Sequence, residues 1–380
     1  MHMWEDAQKV FFLGMEVYGF GLYVALGASV ALIVLAVLLR KAKWKKGTAP
    51  LTGALSMAAG FAVSRLFLCY LAHNDLTGPM PIQGIFMVTA GGYSMMGALL
   101  GASMGAIAAA WITRQSPAGL LDILAPCLML FVACERLGEG YAEELFGISR
   151  ALPSGSFLAR SFLTVHEGTG SYLAIYLMES FTALVLALIL TRDLLKNNRA
   201  GDTYVLLLLL FGGTQVVFES LRDDGHMISS LNSFVKVQQV IAILMVLSAL
   251  IVLCKQRGMA KGTVLTWVLP SAALCGGLAF GLFYLTRHHL NSAVAEGLIY
   301  VAAAAIPVAA GVMGLMRREW LPGTALAAVL LATGFCVGTE FGIDGAPVSR
   351  LLLYALYVIA IGVPVCLGIL LRREDARGQA

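Results

Sequence analysis

Charged side chains are scarce in this chain. Asp, Glu, Lys and Arg make up 13% of its 380 residues, whereas apolar side chains make up 59%. A soluble domain carries about a quarter charged residues and about half apolar ones. The scarcity excludes a soluble globular fold. We attribute the net charge of +4 to basic residues in the loops on one side of a membrane, described below, and not to nucleic-acid binding.

The sequence also lacks paired cysteines and the features of a cleavable signal peptide. The seven cysteines lie mostly inside apolar runs, with no CxxC pair and no histidine nearby, so we interpret them as small core residues. The sequence thus predicts no metal site, no disulfide and no cofactor. Residues 1–17 contain Glu5 and Asp6 and no basic n-region, so we expect no cleavable signal peptide and interpret them as an amphipathic outer arm.

Long apolar runs dominate the rest of the chain. A hydrocarbon core of ~30 Å takes about 20 residues of helix, and a β-barrel would not show such unbroken runs. The sequence predicts an all-α polytopic membrane protein with about eleven spans. They cover residues 18–39, 51–72, 88–112, 118–137, 171–194, 203–221, 234–254, 263–286, 296–316, 321–341 and 350–371.

Basic residues set the predicted orientation. Seventeen Lys and Arg residues fall in alternate loops on one side of the membrane, and eight fall on the other. Since the richer side is cytoplasmic, we expect the N-terminus outside and the C-terminus in the cytoplasm. The outer segment between spans four and five, which includes Phe157 to Thr169, is long enough for a small head region.

One stretch, from Leu121 to Arg150, begins as an apolar span and ends in a polar patch. Charged groups at membrane depth are costly unless they line a polar cavity or pair with each other. We therefore predict a polar pocket, with a helix end that simply meets interfacial water as the alternative. The patch contains Glu135, Arg136, Glu139, Glu143 and Glu144.

Other ionisable groups lie inside or beside predicted spans. Arg65 lies in span two, where a functional or pairing role is expected, with Glu219, Glu179 or Glu135 as partners. Glu219 and Arg222 are one helical turn apart at the end of span six, so we expect them to pair.

The patch resembles the signature of the prolipoprotein diacylglyceryl transferase family, Gly-Arg-x-Gly-Asn-Phe followed by Asn-Gly-Glu and a Gly. Arg136, Gly138, Glu144 and Gly147 match, and Glu139 stands at an asparagine position. Four further segments are similar to family segments. They contribute Tyr18 with Gly19; Arg65, before an aromatic run; Gly91, Gly92 and Ser94, with Met96 at a histidine position; and Glu219 and Arg222, with Gln215 at an arginine position.

The resemblance implies an enzyme of the bacterial cytoplasmic (inner) membrane that moves a diacylglyceryl group from a phospholipid donor such as phosphatidylglycerol to an acceptor such as a lipoprotein cysteine. It covers residues 1–258, and residues 259–380 form a second region of four additional spans. The predicted catalytic residues are Arg136, Glu144 and Tyr18, from the resemblance, and Glu139, because a carboxylate buried beside others can serve as a base or acid. The implied lipid- or phosphate-binding residues are Arg65, Gly91, Gly92, Ser94, Gly138, Gly147, Glu219 and Arg222.

The departures from the family pattern leave alternatives open. Met96 cannot accept a proton and Gln215 cannot hold a phosphate charge. We therefore expect weak or no transfer to ordinary lipoprotein cysteines, with anionic phospholipid still bound by Arg136. The alternatives are a catalytically silent lipid-binding or scaffold protein of the same fold, and a transporter lined by Arg65, Glu179 and Glu219, although no internal symmetry is visible.

Overall fold

The structure is a computed structural model, and it describes residues 9–12, 14–72, 93–141, 147–148, 163–167, 170–196, 199–222 and 237–256. Predicted spans eight to eleven lie outside the described residues. So do three predicted site residues, Gly91, Gly92 and Glu144.

Seven helices are described, and each overlaps one of the first seven predicted spans. They are α1 (Gly19–Lys41), α2 (Thr48–Ala72), α3 (Met95–Thr113), α4 (Pro117–Glu139), α5 (Ile175–Lys196), α6 (Asp202–Leu221) and α7 (Val237–Gln256). Within the described residues, α1, α3, α4 and α5 are long and apolar enough to cross a membrane. The chain is a mostly helical protein with membrane-spanning character, and the count of eleven spans stays a prediction.

Two short β-hairpins accompany the helices. Strands β1 (Lys9–Phe12) and β2 (Met15–Tyr18) pair antiparallel, with Lys9 opposite Tyr18. Strands β3 (Thr164–Glu167) and β4 (Gly170–Leu173) pair in the same way before α5. The first hairpin lies in the segment interpreted as an amphipathic arm, and β4 occupies the predicted start of span five. A larger outer head region stays a prediction.

The chain divides into two compact units. The first comprises Met1–Leu207 and Leu221–Ser229, and the second comprises Leu208–Ser220 and Ser230–Ala380. In the first unit, α4 packs against α1 and α5 and, less extensively, against α3. In the second, Gly212 of α6 lies against α7, where an added Cβ would be 2.9 Å from the carbonyl oxygen of Ala242.

Serine residues begin two of these helices. Ser94 precedes α3 and its hydroxyl accepts a hydrogen bond from the Gly97 amide at 3.3 Å. Ser116 precedes α4 and accepts one from the Gly119 amide at 3.2 Å, with Pro117 at the first helical position. Both arrangements satisfy amide groups that the first turn of a helix leaves without partners.

The glycine stripe of α3 packs directly on α2. A Cβ at Gly97 would lie 2.8 Å from Cα of Ser64, and one at Gly101 would lie 2.7 Å from the carbonyl carbon of Ala59. At Gly105 it would lie 2.7 Å from Cα of Ser56. The packing role expected for small residues between membrane helices is therefore what the stripe performs.

Asp122 lies near the start of α4, at the opposite end of this helix from the polar patch, and it binds the backbone at the start of α6. Its carboxylate accepts hydrogen bonds from the amides of Gly201 at 2.6 Å and Tyr204 at 2.8 Å. The Tyr204 hydroxyl in turn donates to Ser103 of α3 at 2.8 Å. At 1.5 Å per residue, the positions from 122 to 136 span about 20 Å of helix, so Asp122 is structural and lies apart from the patch.

Candidate active site

The last turn of α4 buries three ionisable side chains. Glu135, Arg136 and Glu139 are 9%, 3% and 8% exposed. Arg136 and Glu139 are three residues apart, which places them on one face of the helix, and the Arg136 Nη1 group donates a hydrogen bond to Glu139 Oε1. Their burial favours the predicted polar pocket over a helix end that meets water.

Two more charged residues join this turn from other segments. Glu179 of α5 places Oε2 3.2 Å from Arg136 Nε and 2.6 Å from Arg222 Nη1. Arg222 follows the last residue of α6 and donates from Nη1 and Nη2 to Glu139, at 3.0 and 3.1 Å. We call Glu135, Arg136, Glu139, Glu179 and Arg222 the charge cluster.

The charge cluster holds three carboxylates and two guanidinium groups. Taking ionised groups out of water costs several kcal/mol each, which close pairing offsets. Glu139 contacts both arginines, and so does Glu179. Glu135 contributes its only described ion pair to Arg136, at 3.7 Å. The third carboxylate is therefore the least compensated of the three.

Met95 touches the cluster from α3. Its sulfur accepts from Arg136 Nη2 at 3.0 Å. A thioether is a weak acceptor, so Arg136 Nη2 has no strong hydrogen-bond acceptor among its described contacts. Sequence reasoning missed Met95, because nothing in an apolar run marks one methionine as a neighbour of a buried arginine.

Gly147 makes room for the Glu139 carboxylate. Its φ of +69° is a left-handed conformation that glycine adopts without steric cost. A Cβ there would collide with Oε2 of Glu139 and would lie 2.7 Å from Cβ of Tyr176. The Gly147 carbonyl accepts the Tyr176 amide at 2.8 Å, which ties this residue to the first turn of α5. Glycine is therefore required at position 147 by the backbone conformation and by the space that the Glu139 carboxylate occupies.

Aromatic rings surround the end of α4. The rings of Tyr23 and Tyr141 stack with centroids 5.1 Å apart. A Cβ at Gly138 would lie 3.0 Å from Cβ of Tyr23, and one at Gly140 would lie 2.9 Å from the Tyr176 ring. Gly138 therefore serves close packing between α4 and α1. Among these rings, sequence reasoning singled out none.

Arg65 lies near the start of α3. It is 3% exposed, and its guanidinium carbon lies 5.6 Å from the centroid of the Tyr93 ring, within range of a cation–π contact. The Ser64 hydroxyl donates to the Ser94 carbonyl at 2.7 Å, so this corner of α2 is fixed to the residue that begins α3.

Three other predicted site residues lie among the described residues: Tyr18, Ser94 and Glu219. Tyr18 ends β2 and precedes α1, and its side chain is 43% exposed. Ser94 is buried and uses its hydroxyl as the α3 cap. Glu219 is buried in the part of α6 that belongs to the second unit. The binding and catalytic roles assigned to these three residues stay predictions.

No metal-binding group was found in the part of the chain that the structure describes, where no three His, Cys, Asp or Glu side chains are arranged to hold an ion. Cys127 and Cys134 of α4 are free thiols. The charge cluster itself offers guanidinium and carboxylate groups. These groups bind phosphate oxygens and exchange protons.

Comparison with known proteins bears on the same part of the chain. The family model of prolipoprotein diacylglyceryl transferase matches residues 8–255. A phosphatidylglycerol–prolipoprotein diacylglyceryl transferase of Clostridium novyi (strain NT) is 25% identical over 66% of this chain and 95% of its own length. The enzyme of the same name from Staphylococcus haemolyticus (strain JCSC1435) is 27% identical over 52% of this chain and 69% of its own length. The chain belongs to the prolipoprotein diacylglyceryl transferase family and is a transferase.

Proposed function

We propose that this protein moves a diacylglyceryl group from an anionic phospholipid, such as phosphatidylglycerol, to the thiol of a lipoprotein cysteine. The observation that carries the proposal is the charge cluster, in which two buried arginines meet at the end of an apolar helix inside the family-matched region. The relatives' names supply the donor and acceptor classes.

The proposed reaction is a displacement at a glycerol carbon. The acceptor sulfur forms a bond to that carbon, the bond from the carbon to the phosphate oxygen breaks, and glycerophosphate leaves with the electron pair. A guanidinium group suits the developing negative charge because its planar fork binds two phosphate oxygens at once. Arg136 is our choice for this role, because its Nη2 edge is engaged only by the Met95 sulfur among the described contacts.

Arg222 supports Arg136 through shared carboxylates. Both guanidinium groups contact Glu139 and Glu179, so movement of either arginine changes the other's surroundings. We propose that Glu139 and Glu179 hold the two arginines at a fixed separation before the donor binds. Such preorganisation lowers the reorganisation cost in the transition state. Arg65, Tyr18 and Glu144 are proposed to line the path of the donor and the acceptor.

We also propose the orientation given by the basic residues, with the N-terminus outside, the C-terminus in the cytoplasm and the charge cluster in the outer half of a bacterial cytoplasmic membrane. Reporter fusions after Lys46, Lys261 and Arg377 should all show a cytoplasmic location. An outside location at any of these residues would contradict this orientation.

Release of glycerophosphate distinguishes a transferase from a protein that binds the lipid without reacting with it. The purified protein in vesicles of phosphatidylglycerol should release glycerophosphate only when a cysteine-containing lipobox peptide is present. A protein that binds the lipid and releases nothing with the peptide would be a scaffold rather than a transferase. Transport of the intact lipid between leaflets, measured with a head-group-labelled donor, should stay at the background rate.

A further inference from the structure

The three carboxylates of the charge cluster are not equivalent. Glu139 accepts from both arginines, and Glu179 Oε2 lies within 3.2 Å of both. Glu135 Oε2 lies 3.7 Å from Arg136 Nε and accepts no hydrogen bond from the described residues. The Oε2 oxygen of Glu135 thus has no hydrogen-bond donor among the described residues.

Exposure separates the same three groups. The side chain of Glu135 is 12% exposed, compared with 9% for Glu139 and none for Glu179. Glu179 is therefore enclosed, whereas Glu135 and Glu139 both keep a little exposure, and their ion pairs distinguish these two. Glu139 and Glu179 would also have to leave short ion pairs with arginine before they could take a proton.

The charge balance points to Glu135 as well. Two guanidinium groups balance two carboxylates, and a third buried carboxylate needs another positive partner. The charged groups that act on Glu135 are Arg136 and Glu139 of its own helix, Glu179 of α5 and Arg222 after α6. Glu135 is the carboxylate in excess in the resting cluster, so a proton taken up during the reaction leaves two carboxylates against two guanidinium groups.

We infer that Glu135 is the proton acceptor for the acceptor cysteine, an inference that rests on the proposed function. The thiol proton passes to the Glu135 carboxylate as the sulfur attacks the glycerol carbon. The carbon–oxygen bond breaks, and the phosphate keeps the electron pair beside Arg136. Glu135 then gives its proton to the departing glycerophosphate, which restores the carboxylate for the next turnover.

The test compares Glu135→Gln and Glu135→Asp with the wild type in single-turnover transfer to a cysteine peptide. Glu135→Gln keeps the size of the side chain and removes its proton exchange. We expect the transfer rate to fall about a hundredfold or more, in the range of general base catalysis, with Glu135→Asp in between. Binding of phosphatidylglycerol vesicles and thermal stability should match the wild type.

A selenocysteine peptide provides the decisive arm. A selenol is ionised at neutral pH and needs no proton acceptor, so the deficit of Glu135→Gln should shrink at least tenfold with this peptide. A deficit equal for thiol and selenol, or a transfer rate equal to that of the wild type, would overturn the inference. A wild-type protein that modifies neither peptide would instead overturn the proposed function itself.

Discussion

Arg222 and Glu179 form a buried ion pair, with Arg222 Nη1 2.6 Å from Glu179 Oε2, although they are 43 residues apart in the sequence. The pair joins the residue after α6 to the first turns of α5. Both members also contact α4 residues, Arg222 through Glu139 and Glu179 through Arg136. This pair therefore links three segments of the first unit at the charge cluster.

Removal of both members of this pair should cost less than the sum of the two single removals. Arg222→Gln leaves Glu139 and Glu179 with one arginine between them instead of two, which we expect to lower the free energy of unfolding by about 3–5 kcal/mol. Combined with Glu179→Gln, the loss should be smaller than the sum of the single losses by at least about 1 kcal/mol. Denaturant titration in detergent measures all three variants. Additive losses would show that the two residues do not interact energetically.

Arg136→Lys should abolish transfer nearly as completely as Arg136→Ala. A lysine has a single charged point and cannot contact Glu139, Glu179 and the Met95 sulfur together. We expect a loss of about a hundredfold or more in both variants, measured as glycerophosphate release. Lys46→Ala, at an exposed basic position, is the matched control and should retain full activity. Full activity in Arg136→Lys would mean that only net charge matters.

Gly147→Ala should reduce transfer because its new Cβ displaces the Glu139 carboxylate. The backbone alone accounts for about 1 kcal/mol, since alanine disfavours a φ of +69°. Gly14→Ala is the matched control: Gly14 also has a positive φ, of +83°, but open space around it. Both variants should lose the backbone contribution, Gly147→Ala should lose further stability against Tyr176, and only Gly147→Ala should lose transfer activity. Equal activity in the two would remove Gly147 from the site.

Gly101→Ala should destabilise the packing of α2 on α3. Its Cβ would lie 2.7 Å from the carbonyl carbon of Ala59, and backbone cannot move aside as a flexible side chain can. We expect a loss of about 1–3 kcal/mol of unfolding free energy. Gly21→Ala, a helical glycine with open space, should be neutral or slightly stabilising. Thermal unfolding of both variants checks this, and equal melting temperatures would contradict tight packing at Gly101.

Helix positions followed from the sequence where apolar runs had clear ends. The run at 118–137 became Pro117–Glu139, because Ser116 and Pro117 mark its start and Gly140 follows its end. The run at 171–194 became Ile175–Lys196, since β4 occupies its first residues. Hydropathy alone cannot distinguish a short strand from the first turn of a helix.

The partners within the site were harder to predict than its location. The buried charges at Arg136 and Glu139 stood out because such groups are rare in apolar helices. The expected pairing of Glu219 with Arg222 stays a prediction, and α6 ends at Leu221, one residue before Arg222. Its contacts with Glu139 and Glu179 depend on how α4 and α5 pack, which composition and spacing do not determine.

The most direct test of the proposed function is the intact mass of a lipobox peptide after incubation with the purified protein and phosphatidylglycerol vesicles. We predict a mass increase equal to one diacylglyceryl group on the cysteine, formed more slowly than by the Clostridium novyi relative and absent with Arg136→Ala. Slower formation is expected because Met96 and Gln215 replace a base and a cation of the family pattern. An unchanged peptide mass, at protein concentrations where phosphatidylglycerol binding is saturated, would contradict transfer.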